Sequence, residues 1–137
     1  MGKASRLILG CLAVVLFAIA ACAALYIHYS REWERVNMEY LAEVGHVAPT
    51  YHAVHAFLQM EFPQGMASDD VLAHVYSRFV CHLEYQASAG PESTYWFAFP
   101  TGKCGGNEFL KRECPGIMYR FDFENGSLQA IKRVILE

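Results

Sequence analysis

Between Leu7 and Tyr29 this chain has no charged residue and no proline. Nothing in that stretch would break a helix or draw it into water. Other absences concern chemistry. There is no G-x-S-x-G elbow to expose a nucleophile and no H-E-x-x-H pair to hold zinc. Gly105-Gly106-Asn107 is glycine-rich, but no G-x-x-x-x-G-K-[ST] surrounds it, so a phosphate-cradling loop is not indicated. Glu84, Glu92, Asp122 and Glu124 are scattered and read as solvated surface charges rather than an acid–base pair. Internal repeats and low-complexity tracts are also missing. Basic residues are few, 11 Lys and Arg against 14 Asp and Glu, and two of them, Lys3 and Arg6, precede the apolar run. The remainder is therefore acidic, which argues against nucleic acid and against anionic lipid head groups as partners. The expectation is a non-enzymatic protein with no cofactor.

What is present begins with the run itself, LILGCLAVVLFAIAACAALYIHY. At about 1.5 Å per residue, its apolar part from Leu7 to Ile27 spans roughly 30 Å as a helix, the thickness of a bilayer's hydrocarbon core. Tyr26 and Tyr29 fall at one end, where amphipathic rings favour the interface. Lys3 and Arg6 have no acid beside them, whereas Arg31-Glu32-Trp33-Glu34-Arg35 is mixed in sign. The positive-inside rule makes residues 1–6 a cytoplasmic tail, 7–29 a transmembrane helix and the rest extracytoplasmic. This describes a single-pass protein of a bacterial inner membrane, with its C-terminal domain periplasmic or extracellular. Ile19-Ala20-Ala21-Cys22 supports a rival reading as a lipobox, which would leave a lipoprotein anchored at Cys22. Apolar character continues through Ala23 to Ile27, beyond the roughly 7–15 residues of a secretory h-region, and that length favours the retained helix.

Of five cysteines, Cys11 and Cys22 sit in the run and Cys81 falls in a helical pattern, where it reads as a small buried apolar residue. Cys104 and Cys114 share one irregular stretch, TGKCGGNEFLKRECPG. In an oxidising compartment a Cys104–Cys114 disulfide is the natural reading, and half of a metal site is the alternative. Lys103, Asn107, Phe109, Lys111 and Arg112 give that stapled loop exposed polar and aromatic groups, making it a candidate partner-binding loop.

The remaining chain is long enough for one small domain. Residues 30–46 form a juxtamembrane amphipathic helix, with Trp33, Val36, Tyr40, Leu41 and Val44 on one face and Gly45 as the stop. That stripe serves either a second copy or the domain's own core; the second is the ordinary use of an amphipathic helix. Residues 47–137 form the extracytoplasmic domain. Pro49 and Thr50 open a helix from Tyr51 to Glu61, with Val54, Phe57 and Leu58 inward. Ser68 is the expected N-cap of a helix from Asp69 to Gln86, with Leu72, Val75, Tyr76, Phe79 and Leu83 inward. After Ala89-Gly90-Pro91 the period changes to two. Thr94–Phe99 is an aromatic strand, and Ile117, Tyr119, Phe121 and Phe123 give a second strand one dry face. Asn125-Gly126 signals a type I′ turn into a third strand ending near Leu136. The predicted fold is α+β: an N-terminal transmembrane helix, then two or three helices packed on a three-stranded antiparallel sheet.

Phe62-Pro63-Gln64-Gly65-Met66-Ala67-Ser68-Asp69-Asp70-Val71 places a Gly-Met pair before a helix start, with a valine soon after. In this, and in its order of elements, the chain resembles the SmpA/OmlA-type small lipoproteins of bacterial outer-membrane assembly. Ala67 is an insertion relative to that pattern, and Tyr95, Trp96 and Phe97 match the family's aromatic strand in character only. The resemblance implies a small α+β fold and a scaffolding role in envelope assembly. It transfers no partner.

His46, His52, His55, His74 and His82 cluster in the middle of the sequence. His52 and His55, one helical turn apart, are the candidate metal ligands, although no carboxylate spacing completes the set. Two function classes follow. One is a membrane-tethered domain that binds a protein partner, of scaffold or inhibitor and immunity type. The other is a sensor that holds a metal or small ligand through the histidines.

Overall fold

The computed structural model describes residues 2–101 and 117–135. The expected Cys104–Cys114 bridge, and Lys103, Asn107, Phe109, Lys111 and Arg112, lie outside the described residues. The chain divides into two compact units, Met1–Trp33 and Glu34–Glu137. Helix α1, Lys3–Gly45, begins in the first and ends in the second. By length and composition α1 can cross a membrane.

In the second unit, α1 is followed by α2 (Tyr51–Glu61), α3 (Ser68–Arg78) and four strands: β1 (His82–Ala89), β2 (Glu92–Phe99), β3 (Ile117–Glu124) and β4 (Ser127–Val134). The strands form an antiparallel meander in the order β1-β2-β3-β4. One sheet face is apolar. In the β2–β3 register Tyr95 faces Phe121, Phe97 faces Tyr119 and Phe99 faces Ile117. Met38 and Leu41 of α1, Val54, Phe57 and Leu58 of α2, and Val71 and Val75 of α3 join these rings in one buried core. The stripe of α1 thus covers the domain's own core. Trp33, expected in that stripe, is exposed, while Met38 and Ala42 are buried. A similar shift occurs in α3, where Val71 is buried and Tyr76 is exposed.

Two helix ends show how local chemistry sets these elements. Thr50 caps α2, its hydroxyl accepting from the Ala53 N–H at 3.2 Å. At the end of α1 the left-handed residue is His46, with φ of 51°. The His46 N–H donates to the Glu43 carbonyl and the Val47 N–H to the Ala42 carbonyl, which is a Schellman ending. The helix does stop at Gly45, as expected, but the left-handed turn is made by the next residue and Gly45 is small for another reason. A Cβ there would lie 2.6 Å from Cδ1 of Phe57, so glycine is needed for close packing.

Three expectations are corrected. The helix from Asp69 to Gln86 ends at Arg78, and Phe79 is already extended, with φ of −118° and ψ of 145°. Residues 82–89 are strand β1, so the sheet has four strands and not three. Leu72, Val75, Tyr76, Phe79 and Leu83 fit a helical period, but Phe79 and Leu83 reach the core from an extended chain. Pairing with β2 satisfies the β1 backbone, with Leu83 opposite Phe97 and Gln86 opposite Tyr95. The turn between them is Gly90-Pro91, with Gly90 at φ of 60°, as a two-residue hairpin of type II′ requires. Ser68 is not the cap of α3. Ala67 holds that position without a side-chain bond, and the Ser68 N–H donates instead to the Gly126 carbonyl at 2.8 Å.

That bond belongs to a strap. The Gly65 N–H donates to the Leu128 carbonyl and the Leu128 N–H to the Met66 carbonyl, each at 2.8 Å. Residues 65–68 therefore lie along the start of β4. The β3–β4 turn is as expected, with Asn125 at φ of 52° and Gly126 at 75°.

Gly45→Ala should destabilise the domain by about 1–3 kcal/mol through overpacking against Phe57. Urea denaturation of the full chain in detergent micelles measures this. Phe57→Leu in the same chain should recover part of the loss by making room for the methyl.

Candidate functional site

A cleft of about 410 Å³ opens between the start of α2 and the end of β4. It is lined by Tyr51, His52, His55, Tyr119, Ile131, Lys132 and Arg133. The capped first turn of α2 places Tyr51, His52 and His55 side by side. Pairing of β3 with β4 sets Tyr119 opposite Arg133 and Phe121 opposite Ile131. The two candidate histidines are thus brought to one place.

The lining groups are held by ring contacts. His55 stacks on Tyr119, with planes 17° apart and centroids at 6.4 Å. The Arg133 guanidinium lies over the Tyr51 ring, 3.6 Å from its centroid. Such a contact is worth about 0.5–2 kcal/mol. The Tyr51 N–H donates to Oε1 of Glu34 at 2.7 Å, which fixes the entry to α2. Tyr119 is only 1% exposed. Burial pushes its phenol up to about 12; the Arg133 charge pulls the other way and Tyr51 adds a small upward push.

No carboxylate lines the cleft among the described residues, and no group of three or more His, Cys, Asp and Glu is gathered anywhere among them. His52 and His55 therefore have no third ligand there. The other histidines are elsewhere. His74, on α3, bonds Oε2 of Glu61 at 2.7 Å through Nε2, and Arg78 Nε meets the same oxygen at 3.0 Å. His82 lies on β1 beside Glu84, not on the helix it was expected to share with His74. His46 makes the turn after α1.

The chain matches no family model, no curated protein and no solved structure.

A second cavity, of about 390 Å³, is lined by Glu92, Ser93, Thr94, Arg120, Asp122, Phe123, Glu124 and Gln129. Its Asp122 is already engaged: it meets Arg120 Nε at 3.0 Å and Lys132 Nζ at 3.9 Å, and the Thr94 hydroxyl donates to it at 3.2 Å. Cys81 is half-buried against the core, and burial pushes its thiol up to about 11, so it is a thiol and not a thiolate at neutral pH.

Sequence reasoning found His52 and His55 but missed Tyr51, Tyr119 and Arg133. Tyr119 was identified only as a dry-face residue, and Arg133 belonged to a strand whose faces were not assigned. Their one signal is the strand register, which pairs them.

Tyr119 yields a prediction with a definite sign. Its folded pKa, about 12, lies above the ordinary 10.0, so the fold favours the protonated phenol. That stability is complete below pH 10 and is lost as pH rises toward 12. The thermal midpoint of the unsubstituted chain should fall more steeply across this window than that of Tyr119→Phe, as followed by circular dichroism.

Proposed function

We propose that this protein is a single-pass, membrane-anchored interaction domain without catalysis, which presents its second unit on the extracytoplasmic side of a bacterial inner membrane. The observation that carries the reading is the surface of the first unit. Leu7 is 72% exposed, Phe17 77% and Ile19 60%, and none of the buried core lies in this stretch. An uninterrupted sleeve of apolar side chains is stable in lipid and costly in water. The lipidated alternative at Cys22 would discard most of that sleeve.

The second unit then acts by binding a protein. Its α1 stripe is spent on its own core, so recognition falls to loops and sheet edges. The segment from Gly105 to Arg112, bridged by Cys104 and Cys114, is the proposed contact, with Lys103, Asn107, Phe109, Lys111 and Arg112 as its reading groups. Envelope assembly is the role implied by the resemblance to SmpA/OmlA-type proteins. An inhibitor or immunity protein would use the same kind of stapled loop.

A photo-crosslinker at Lys103, just outside that segment and introduced in living cells, should give one discrete adduct. Deleting Gly105 to Arg112 should remove it while the chain stays in the membrane fraction. A reporter fused to the C-terminus should be active only outside the cytoplasm. A cytoplasmic reporter would overturn the topology, and an unchanged adduct from that crosslinker on the deletion variant would remove the loop from the interface.

A further inference from the structure

We propose that the cleft between α2 and β4 binds a small organic carboxylate, with Arg133 as its ion-pair partner and Tyr51, Tyr119 and Ile131 flanking its apolar body. This stands apart from the interaction role and does not depend on the anchor.

The first support is a cation with no counter-charge. Arg133 has no carboxylate partner among the described residues; it is held only by its contact with Tyr51. Stacking uses the flat face of a guanidinium and leaves its in-plane N–H donors free, and these match the two oxygens of a carboxylate. The second support is Tyr119. Its ring is buried, it lines the cleft, and among the described residues nothing hydrogen-bonds its hydroxyl. The hydroxyl is not among the fully buried polar atoms left unpaired, so it opens on the cleft, where it can donate to a ligand. The third is the setting. The cleft lies at the positive end of α2, beside His52 and His55. The one carboxylate at that helix start, Glu34, accepts from the Tyr51 N–H. Lys132, 3.9 Å from Asp122, shares that carboxylate with Arg120, so the rim of the cleft keeps a further positive charge.

The same facts set the ligand class. A metal ion would be placed beside a permanent guanidinium with two imidazoles and no anionic ligand, a poor donor set. The planar fork of Arg133, flanked by rings, suits the flat carboxylate of an apolar acid. The two phenol rings and Ile131 suit an apolar or aromatic body. The volume, about 410 Å³, falls in the range of small-molecule sites, about 300–1,000 Å³.

The test uses the full chain in detergent micelles and follows its histidine and tyrosine ring resonances by NMR. Benzoate should shift His55, Tyr51 and Tyr119 saturably, with a dissociation constant on the order of 1 mM for so small a probe. Benzamide, the neutral analogue, should bind at least about tenfold more weakly, as should benzoate to Arg133→Gln. The comparison of benzoate with benzamide on the unsubstituted protein decides the matter even if Arg133→Gln does not fold. Equal binding of benzamide would overturn the proposal, as would the absence of any saturable shift. Tighter binding of phenyl phosphate than of benzoate would overturn the assignment to a carboxylate.

Discussion

Phe121 stands in the middle of the sheet with two rings edge-on to it: Phe62 at 5.3 Å and 88°, and Phe97 at 5.4 Å and 90°. Phe62 follows α2 directly, and Phe97 is on the neighbouring strand. The contact therefore ties the helical layer to the sheet. Phe79 extends it, meeting Phe57, Phe62 and Phe99. Edge-to-face pairs contribute about 0.5–1.5 kcal/mol each beyond the area they bury. They also fix direction, because a ring that must present its edge has few permitted rotamers. Helix α3 ends where Phe79 must turn into this cluster. Gly45 is a glycine because Phe57, held by the same cluster, leaves no room for a methyl.

The aromatic lattice also determines where polar chemistry can occur. Along β3, Phe123 and Phe121 are enclosed by other rings and apolar chains. Tyr119 meets Phe99 on one side and His55 on another. Apolar packing ends there, and the cleft begins. The last ring of the core is thus also a wall of the candidate site, which explains why a residue 1% exposed can face a possible ligand.

Much of this was legible in the sequence where the signal is local. Thr50 after Pro49 marked the start of α2, and Asn125-Gly126 marked the last hairpin. The charge-free run from Leu7 announced a helix long enough to cross lipid. Two of the errors, the overlong α3 and the missing strand, share a cause. Between Arg78 and Gly90 no glycine or proline punctuates the chain, so nothing local ends α3. The partner that makes residues 82–89 a strand is β2, and a pairing partner is not written in the segment itself. The cleft was half visible for the same reason. His52 and His55 show their relation through helical spacing. Arg133 and Tyr119 meet them only through the β3–β4 register and the packing of α2 on the sheet.

The strap of residues 65–68 bears on how the sheet can grow. Leu128 gives both its backbone groups to Gly65 and Met66, so the outer side of β4 is already occupied where that strand begins. Among the described residues, a further strand could run the whole length of the sheet only alongside β1. Two copies joined there would carry, at both outer ends, a β4 whose first residues are already paired. Growth past that pair would have to begin beyond Leu128, on a shortened edge, which disfavours an open-ended fibre.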